Sequence, residues 1–386
     1  MKKIFLVDDD AVVRALYQRQ LEQGGFEVCL AQDGLQAIQW LTTFTPDLVL
    51  LDLMMPRLAG DSVLRFIRSQ PRLAQLPVVV LTNAFMSDQA RVVSDLGVQR
   101  ALVKADSTPA KMLELVRQLL GVPPPLAAAL LPAEPRGPSE EHNAARTEFL
   151  TNAGIQIADL RELGQEFKSS PEAAAESGNL AELYGQTHLL AAAAGLADCR
   201  HLALLGGALE ALLIELVENP QFINASTART VVTAVECLAR LRADTQTVGR
   251  AETLSGEVLI VDDDALANRV ALAALSRAKL NARAAENPLL ALDLLTQNHF
   301  DLFLLDIEMP QLNGYELCRK IRCLPGYEKT PVIYITLHAD FESRAKSILA
   351  GGNDLIAKPI FAIELAVKAV MHLLAGRLAA VGPPAL

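Results

Sequence analysis

Two stretches of the chain alternate short apolar runs with segments of helical periodicity. In the first, the runs are Ile4–Val7, Phe26–Ala31, Leu48–Leu51, Val78–Leu81 and Ala101–Val103. Between them lie segments such as AVVRALYQRQLEQGG and SDQARVVSDLGV. The middle runs are rich in Leu and Val without polar alternation, the pattern of strands buried on both faces of a parallel sheet. Gly24-Gly25, Gly97 and Gly121 stand where the intervening helices should stop. The second stretch repeats the pattern with Val258–Val261, Ala282–Ala285, Leu302–Leu305, Val332–Ile335 and Leu355–Ala357. Each stretch therefore predicts a doubly wound (βα)5 unit with a five-stranded parallel sheet.

The two stretches are copies. DLVLLDLMMPRLAG at Asp47–Gly60 matches DLFLLDIEMPQLNG at Asp301–Gly314, and VDDDA occurs at Val7–Ala11 and again at Val261–Ala265. One interval separates Asp8 from Asp262, Asp52 from Asp306, Thr82 from Thr336 and Lys104 from Lys358. Four motifs sharing one interval indicate a duplicated domain.

Between the copies the pattern changes. Residues 122–138 are proline-rich, as a semi-stiff linker would be. From 139 to 250 no strand pattern occurs, and LADCRHLALLGGALEALLIELV and STARTVVTAVECLARL carry apolar residues at helical spacing. Ser226 or Thr227 is the expected N-cap of the latter. This region predicts an antiparallel bundle of four or five helices. The expected architecture is thus α/β plus all-α: an α/β domain over 1–121, the linker over 122–138, a helical bundle over 139–250 and a second α/β domain over 255–378.

Composition narrows the function classes. The 386 residues carry a formal net charge of −10, which argues against direct nucleic-acid binding, since that needs a basic face. The five cysteines (Cys29, Cys199, Cys237, Cys318 and Cys323) form no CxxC pair and read as buried, reduced thiols. The start MKKIFLVDDD is too short in apolar residues for a signal peptide, and no apolar stretch is long and uncharged enough to span a bilayer. A cytoplasmic protein without membrane contact is expected.

The polar residues fall where this fold places ligands, at the C-terminal ends of the strands. Asp8, Asp9 and Asp10 follow the first strand, Asp52 ends the third, Thr82 ends the fourth and Lys104 follows the fifth. Clustered carboxylates are hard oxygen ligands suited to Mg²⁺. A lysine and a hydroxyl beside such a cation suit a phosphoryl group, and a carboxylate facing it can accept that group as an acyl phosphate. Asp10 and Asp264 read instead as helix-start residues. A lone Asp at a strand end would be a solvated turn residue; the full set, twice at identical spacing, would not.

This set resembles the receiver domain of two-component response regulators, over roughly Lys2–Leu120 and Glu257–Gly376. The resemblance implies a flavodoxin-like (βα)5 fold for both copies. It implies phosphoacceptors at Asp52 and Asp306, and Mg²⁺ ligands at Asp8, Asp9 and Asp52 and at Asp262, Asp263 and Asp306. The backbone carbonyls of Met54 and Glu308 would complete the protein ligands. Thr82 and Thr336 would be the switch hydroxyls, and Lys104 and Lys358 the phosphate-contacting lysines. Three departures are visible. The family's proline after the lysine is kept at Pro359 but replaced by Ala105. Its aromatic switch residue is replaced by Ala101 and Leu355. The residues flanking the attacking water differ between copies, Met54 and Ala84 against Glu308 and His338.

In the middle region His188 shares a helical face with Gly185, Ala192 and Gly195. Small neighbours would leave the imidazole protruding and let another domain approach. The segment resembles a histidine phosphotransfer domain through His188, Leu190, Ala194 and the following ALEALL, which makes His188 a candidate phosphohistidine. It departs at Ala191 and Ala192, where that family has lysine and glycine.

The expected function is a response regulator or phosphorelay component, phosphorylated on aspartate by a sensor histidine kinase or phosphotransfer protein and signalling to a downstream protein. Homodimerisation is left open. One alternative is a phosphorylation-switched interaction scaffold with an inert bundle. Another is a haloacid-dehalogenase-type phosphatase with Asp8 as nucleophile, which leaves Asp52 and Asp306 without a role.

Overall fold

The computed structural model of the protein describes every residue except 54, 56, 83–96, 104–108, 123–139, 172–177, 245–253, 255, 338–345 and 382–386. By contact the chain divides into two compact units. One comprises Met1–Ile155 with Thr187–Gly207, the other Gln156–Gln186 with Ala208–Leu386.

The first unit contains β1 (Lys3–Val7), α1 (Ala11–Gln23), β2 (Glu27–Ala31), α2 (Gly34–Thr43), β3 (Leu48–Asp52), α3 (Gly60–Ser69), β4 (Val78–Thr82), β5 (Arg100–Val103) and α4 (Pro109–Leu120). All strand pairs are parallel, in the order β2-β1-β3-β4-β5. This is the flavodoxin-like order, with its switch point between β1 and β3. Every residue of β3 is buried. Alternate side chains feed opposite faces of the sheet. Phe5, Val7, Val49 and Leu51 pack on Val63, Leu64 and Ile67, whereas Ile4, Leu6, Leu48 and Leu50 pack on Val13, Tyr17, Met112 and Val116.

The helical region follows with α5 (Glu140–Ser169), α6 (Asn179–Leu196), α7 (Arg200–Glu218) and α8 (Ala225–Asp244). The latter part of α6 belongs to the first unit because Ala192 and Leu196 join the second of these two apolar faces. The cap of α8 is Asn224, not Ser226 or Thr227. Its Oδ1 accepts from the amides of both, at 2.7 and 3.1 Å. The serine hydroxyl is thereby released for a different partner.

The second unit contains β6 (Glu257–Val261), α9 (Ala265–Arg277), β7 (Asn281–Ala285), α10 (Pro288–Gln297), β8 (Leu302–Asp306), α11 (Gly314–Arg322), β9 (Val332–Thr336), β10 (Asp354–Ala357) and α12 (Ala362–Val381). Its sheet is again parallel, in the order β10-β9-β8-β6-β7. The first Asp of each repeated motif sets strand register. Asp47 accepts the Lys3 amide at 2.7 Å, and Asp301 accepts the Glu257 amide at 2.8 Å.

A buried polar network joins α8 to α12 within this unit. Ser226 Oγ and Thr230 Oγ1 donate to Glu364 Oε1, at 2.6 and 2.9 Å. Lys368 Nζ lies 3.8 Å from the same oxygen and donates to Asp354 Oδ1 at 2.7 Å. His372 Nε2 is 3.2 Å from Asp354 Oδ2. Burial works to raise the Asp354 carboxyl, but Lys368 and His372 overcome it and hold it far below the ordinary carboxylate range. All five cysteines are free; Cys199, Cys237 and Cys318 are buried as expected, whereas Cys29 is half-buried and Cys323, at the C-cap of α11, is exposed. No helix among the described residues is long and apolar enough to cross a membrane.

A carboxyl depressed in the folded state stabilises it above the unfolded value, and that gain disappears as pH falls through the folded one. Asp354→Asn is therefore expected to cost about 3 kcal/mol at pH 7, by leaving Lys368 buried against a neutral partner. In urea unfolding the deficit should shrink progressively as the pH drops below about 4, near the unfolded-state carboxyl value.

Candidate functional site

The parallel strands deliver their polar ends to one edge of each sheet. In the second unit Asp262 follows β6, Asp306 is the last residue of β8, Thr336 the last of β9, and Lys358 follows β10. Asp262, Asp306 and Thr336 are buried and Asp263 is exposed. Lys358 Nζ bridges Asp262 Oδ2 at 2.9 Å and Asp306 Oδ2 at 3.0 Å. The Lys358–Pro359 peptide is cis, and the Lys358 amide donates to the Thr336 carbonyl at 2.7 Å.

Each acid is held by neighbouring backbone. The Asp264 amide donates to Asp262 Oδ1 at 2.9 Å, and Asp264 caps α9 through the Leu266 amide at 2.8 Å. The Glu308 amide approaches Asp306 Oδ1 at 3.4 Å, while the Glu308 side chain is exposed. Burial raises the Asp306 carboxyl; the Lys358 hydrogen bond opposes this and the nearby Asp262 charge adds to it. Burial tends to lower the Lys358 ammonium, but Asp262 and Asp306 outweigh it and raise the net value. Carboxylate oxygens of Asp262, Asp263 and Asp306 lie within 4.8 Å of one another, a donor set that fits a hard divalent cation.

The first unit builds the same edge from Asp8, Asp9 and Asp52. Asp8 and Asp52 are fully buried and Asp9 is half-buried. The Asp10 amide donates to Asp8 Oδ1 at 3.0 Å, and Asp10 accepts the Val13 amide at 3.2 Å, so Asp10 serves the start of α1. Thr82 ends β4 opposite Val103, the last residue of β5. Lys104, Met54, Ala84, Ala105 and His338 lie outside the described residues.

His188 is not protruding, as its small neighbours suggested. It is 5% exposed, and one of its ring nitrogens lies within 4.8 Å of carboxylate oxygens of both Asp9 and Asp52. Helix α6 lays its latter half against the first receiver-like fold, so the imidazole enters the acidic edge instead of facing water. Two further features support the edge. One is the anchoring of the first acid's carbonyl: Asn268 Nδ2 donates to the Asp262 carbonyl at 2.8 Å, and Arg14, at the matching place on α1, donates to that of Asp8. The other is the closeness of Gly60 and Gly314 to the aspartate strands. A Cβ there would lie 2.0 Å from the Asp52 carbonyl oxygen and 2.2 Å from that of Asp306.

A flavodoxin-like sheet carrying an acid cluster, a strand-end aspartate, a hydroxyl and a bridging lysine defines a phosphoacceptor class of α/β domain. The family model for the response regulator receiver domain matches residues 4–117 and 258–370. Those matches cover more than half of the chain, which belongs to this family. Among curated relatives, Response regulator MprA of Mycobacterium sp. (strain KMS) is 46% identical over 80 residues, covering 21% of this chain and 34% of that protein. Protein RcaC of Microchaete diplosiphon is 34% identical over 73 residues, covering 19% of this chain and 11% of that protein. The chain thus spans about a third or less of these relatives' length. Solved structures that it resembles include a putative response regulator from Chloroflexus aurantiacus J-10-fl, 31% identical over 31% of this chain and 98% of that one, TM-score 0.30. The Mn²⁺-bound form of response regulator Rcp1 is 30% identical over 32% of this chain and 99% of that one, TM-score 0.29.

The glycine contact is with backbone, which cannot swing aside. Gly314→Ala is expected to cost about 1–3 kcal/mol through overpacking and to push Asp306 away from Lys358. Chemical denaturation checks the first effect, and loss of aspartate phosphorylation checks the second.

Proposed function

We propose that the chain is a two-component signalling protein that accepts phosphoryl groups on Asp306 and Asp52 from a partner histidine kinase or phosphotransfer protein. The observation that carries this reading is the Lys358 bridge between Asp262 and Asp306, set beside Thr336. In the second receiver a carboxylate oxygen of Asp306 attacks the donor's phosphorus, and the donor leaves with the electron pair of the broken bond. Lys358 moves from Asp262 to a phosphoryl oxygen, and the Thr336 hydroxyl donates to another. Asp262, Asp263, Asp306 and the Glu308 carbonyl would hold Mg²⁺, with Asp8, Asp9, Asp52 and the Met54 carbonyl as their counterparts. Bound there, the cation offsets the gathered negative charge and polarises the phosphoryl group. Thr82 and Lys104 take the switch and phosphate-contacting roles in the first receiver. His188, set against Asp52, exchanges phosphate with it.

The phosphatase alternative would make Asp8 the nucleophile, yet gives Asp306 and its lysine nothing to do. Mg²⁺-dependent labelling by a small phosphodonor tests the reading. Asp306→Ala and Asp52→Ala should each remove base-labile acyl phosphate from one receiver. Labelling that survives both substitutions would refute the assignment.

The residues flanking the attacking water differ between the receivers, so the two acyl phosphates are expected to hydrolyse at different rates. Alanine at Glu308 and His338 should change the lifetime of the second severalfold and leave the first untouched. Equal lifetimes, insensitive to both substitutions, would remove this expectation.

A further inference from the structure

The two receivers present their acidic edges differently. At the second, Asp263 is exposed. Asp306 and Asp52 are both buried, but at the first receiver the matching Asp9 is half-buried and His188 lies against Asp9 and Asp52. Two sets of apolar contacts hold the histidine helix in place. Ala192 is 3% exposed and, with Leu196, joins the apolar face built from Val13, Met112 and Val116. On another side Ala191 is buried against Gly206 of α7, so close that a Cβ on the glycine would sit 3.0 Å from the alanine methyl. The lysine that phosphotransfer domains carry at that position would have no room here. Alanine gives close packing where lysine would give charge.

We propose that His188 and Asp52 form a dedicated intrachain couple. Seated in the first receiver, the α6 helix restricts the access of outside phosphodonors to Asp52, so that Asp52 exchanges phosphate foremost with the histidine of its own chain while outside donors act faster at Asp306. The inference rests on the phosphoacceptor reading above and adds which histidine serves which aspartate. A ring nitrogen and a carboxylate oxygen within 4.8 Å are near enough for one phosphorus to bond partially to each, which an in-line transfer requires. In the transfer the N–P bond breaks, its electron pair stays on the ring nitrogen, and a carboxylate lone pair forms the O–P bond. The other ring nitrogen keeps its proton, and no further reactant is consumed. Holding both partners on one chain replaces a bimolecular encounter by an intramolecular one.

The test uses the full chain and has a metal-free arm. His188 should react with diethyl pyrocarbonate, followed by mass spectrometry, at least tenfold more slowly than an exposed imidazole such as His299, whose side chain is 68% exposed. Ala192→Glu, which places a charge in the apolar contact, should remove that protection. With Mg²⁺ and acetyl phosphate, wild-type label should accumulate on Asp306 at least tenfold faster than on Asp52, and Ala192→Glu should narrow the gap. Should Ala192→Glu fail to fold, wild-type protection and labelling order still decide the matter. A complementation arm tests the intrachain character. A mixture of His188→Ala chains, which keep Asp52, with Asp52→Ala chains, which keep His188, should show no transfer between them.

Fast modification of His188 in the wild type, equal labelling of Asp52 and Asp306, or transfer in the mixture would each overturn the couple while leaving phosphorylation itself intact. Absence of label on every aspartate would overturn the phosphoacceptor reading and the couple together, whereas the modification rate still reports whether the histidine is seated.

Discussion

The structure depends most on managing mutual repulsion among carboxylates. A parallel sheet sends the C-terminal ends of its strands to one edge, so Asp262 and Asp306 arrive together and largely out of water. Two buried like charges at that spacing would drive protons onto the site or push the strands apart. Lys358 prevents this by bonding both. Other details of the edge follow from that requirement. Backbone amides of Asp264 and Glu308 approach the free oxygens, Asn268 fixes the carbonyl that precedes them, and Gly314 lets α11 start close against the Asp306 strand. The result is a centre whose charge balance would change on entry of a cation or a phosphoryl group. That change is something a signalling domain can transmit.

Among the described residues, the groups that meet the carboxylates differ between the duplicated halves. At the first receiver the anchor on the leading carbonyl is Arg14 in place of Asn268, and an imidazole from a distant part of the chain joins the carboxylates. A histidine is suited to that place because its imidazole changes charge near neutral pH, whereas an arginine remains a fixed positive charge. The same fold therefore supports one edge that carries an exposed carboxylate and another occupied from within the chain.

Much of this was legible in the sequence. Unbroken Leu/Val runs located the central strands within a residue at each end, because strands buried on both faces leave no room for polar alternation. The constant interval between the copies located the acids, hydroxyls and lysines, because a strand-end position in one copy must be a strand-end position in the other. What could not be read was tertiary. Gly185, Ala192 and Gly195 were legible as a small-residue face, but periodicity does not say what covers such a face. The imidazole expected to protrude is buried for this reason. Asn224 was overlooked as a cap because Ser226 and Thr227 are equally good cap types by composition, and only the backbone hydrogen bonds decide among them. Arg14 and Asn268 look like ordinary polar positions on amphipathic helices until their carbonyl partners are seen.

Helix α12 is the closing helix of the second receiver, yet its inner surface is written partly for α8. Glu364 is buried and receives the hydroxyls of Ser226 and Thr230, Phe361 stacks on Phe222 with ring centroids 4.5 Å apart, and Lys368 links the network to Asp354 at the start of β10. The family's sequence boundary at residue 258 therefore cuts across a closely packed piece of structure. A receiver severed there would expose a carboxylate shaped to accept two hydroxyls it no longer has, along with an apolar surface stripped of its cover. The boundary of the repeat falls at the start of the second copy, while the compact unit that packs around it includes the helix before that copy begins.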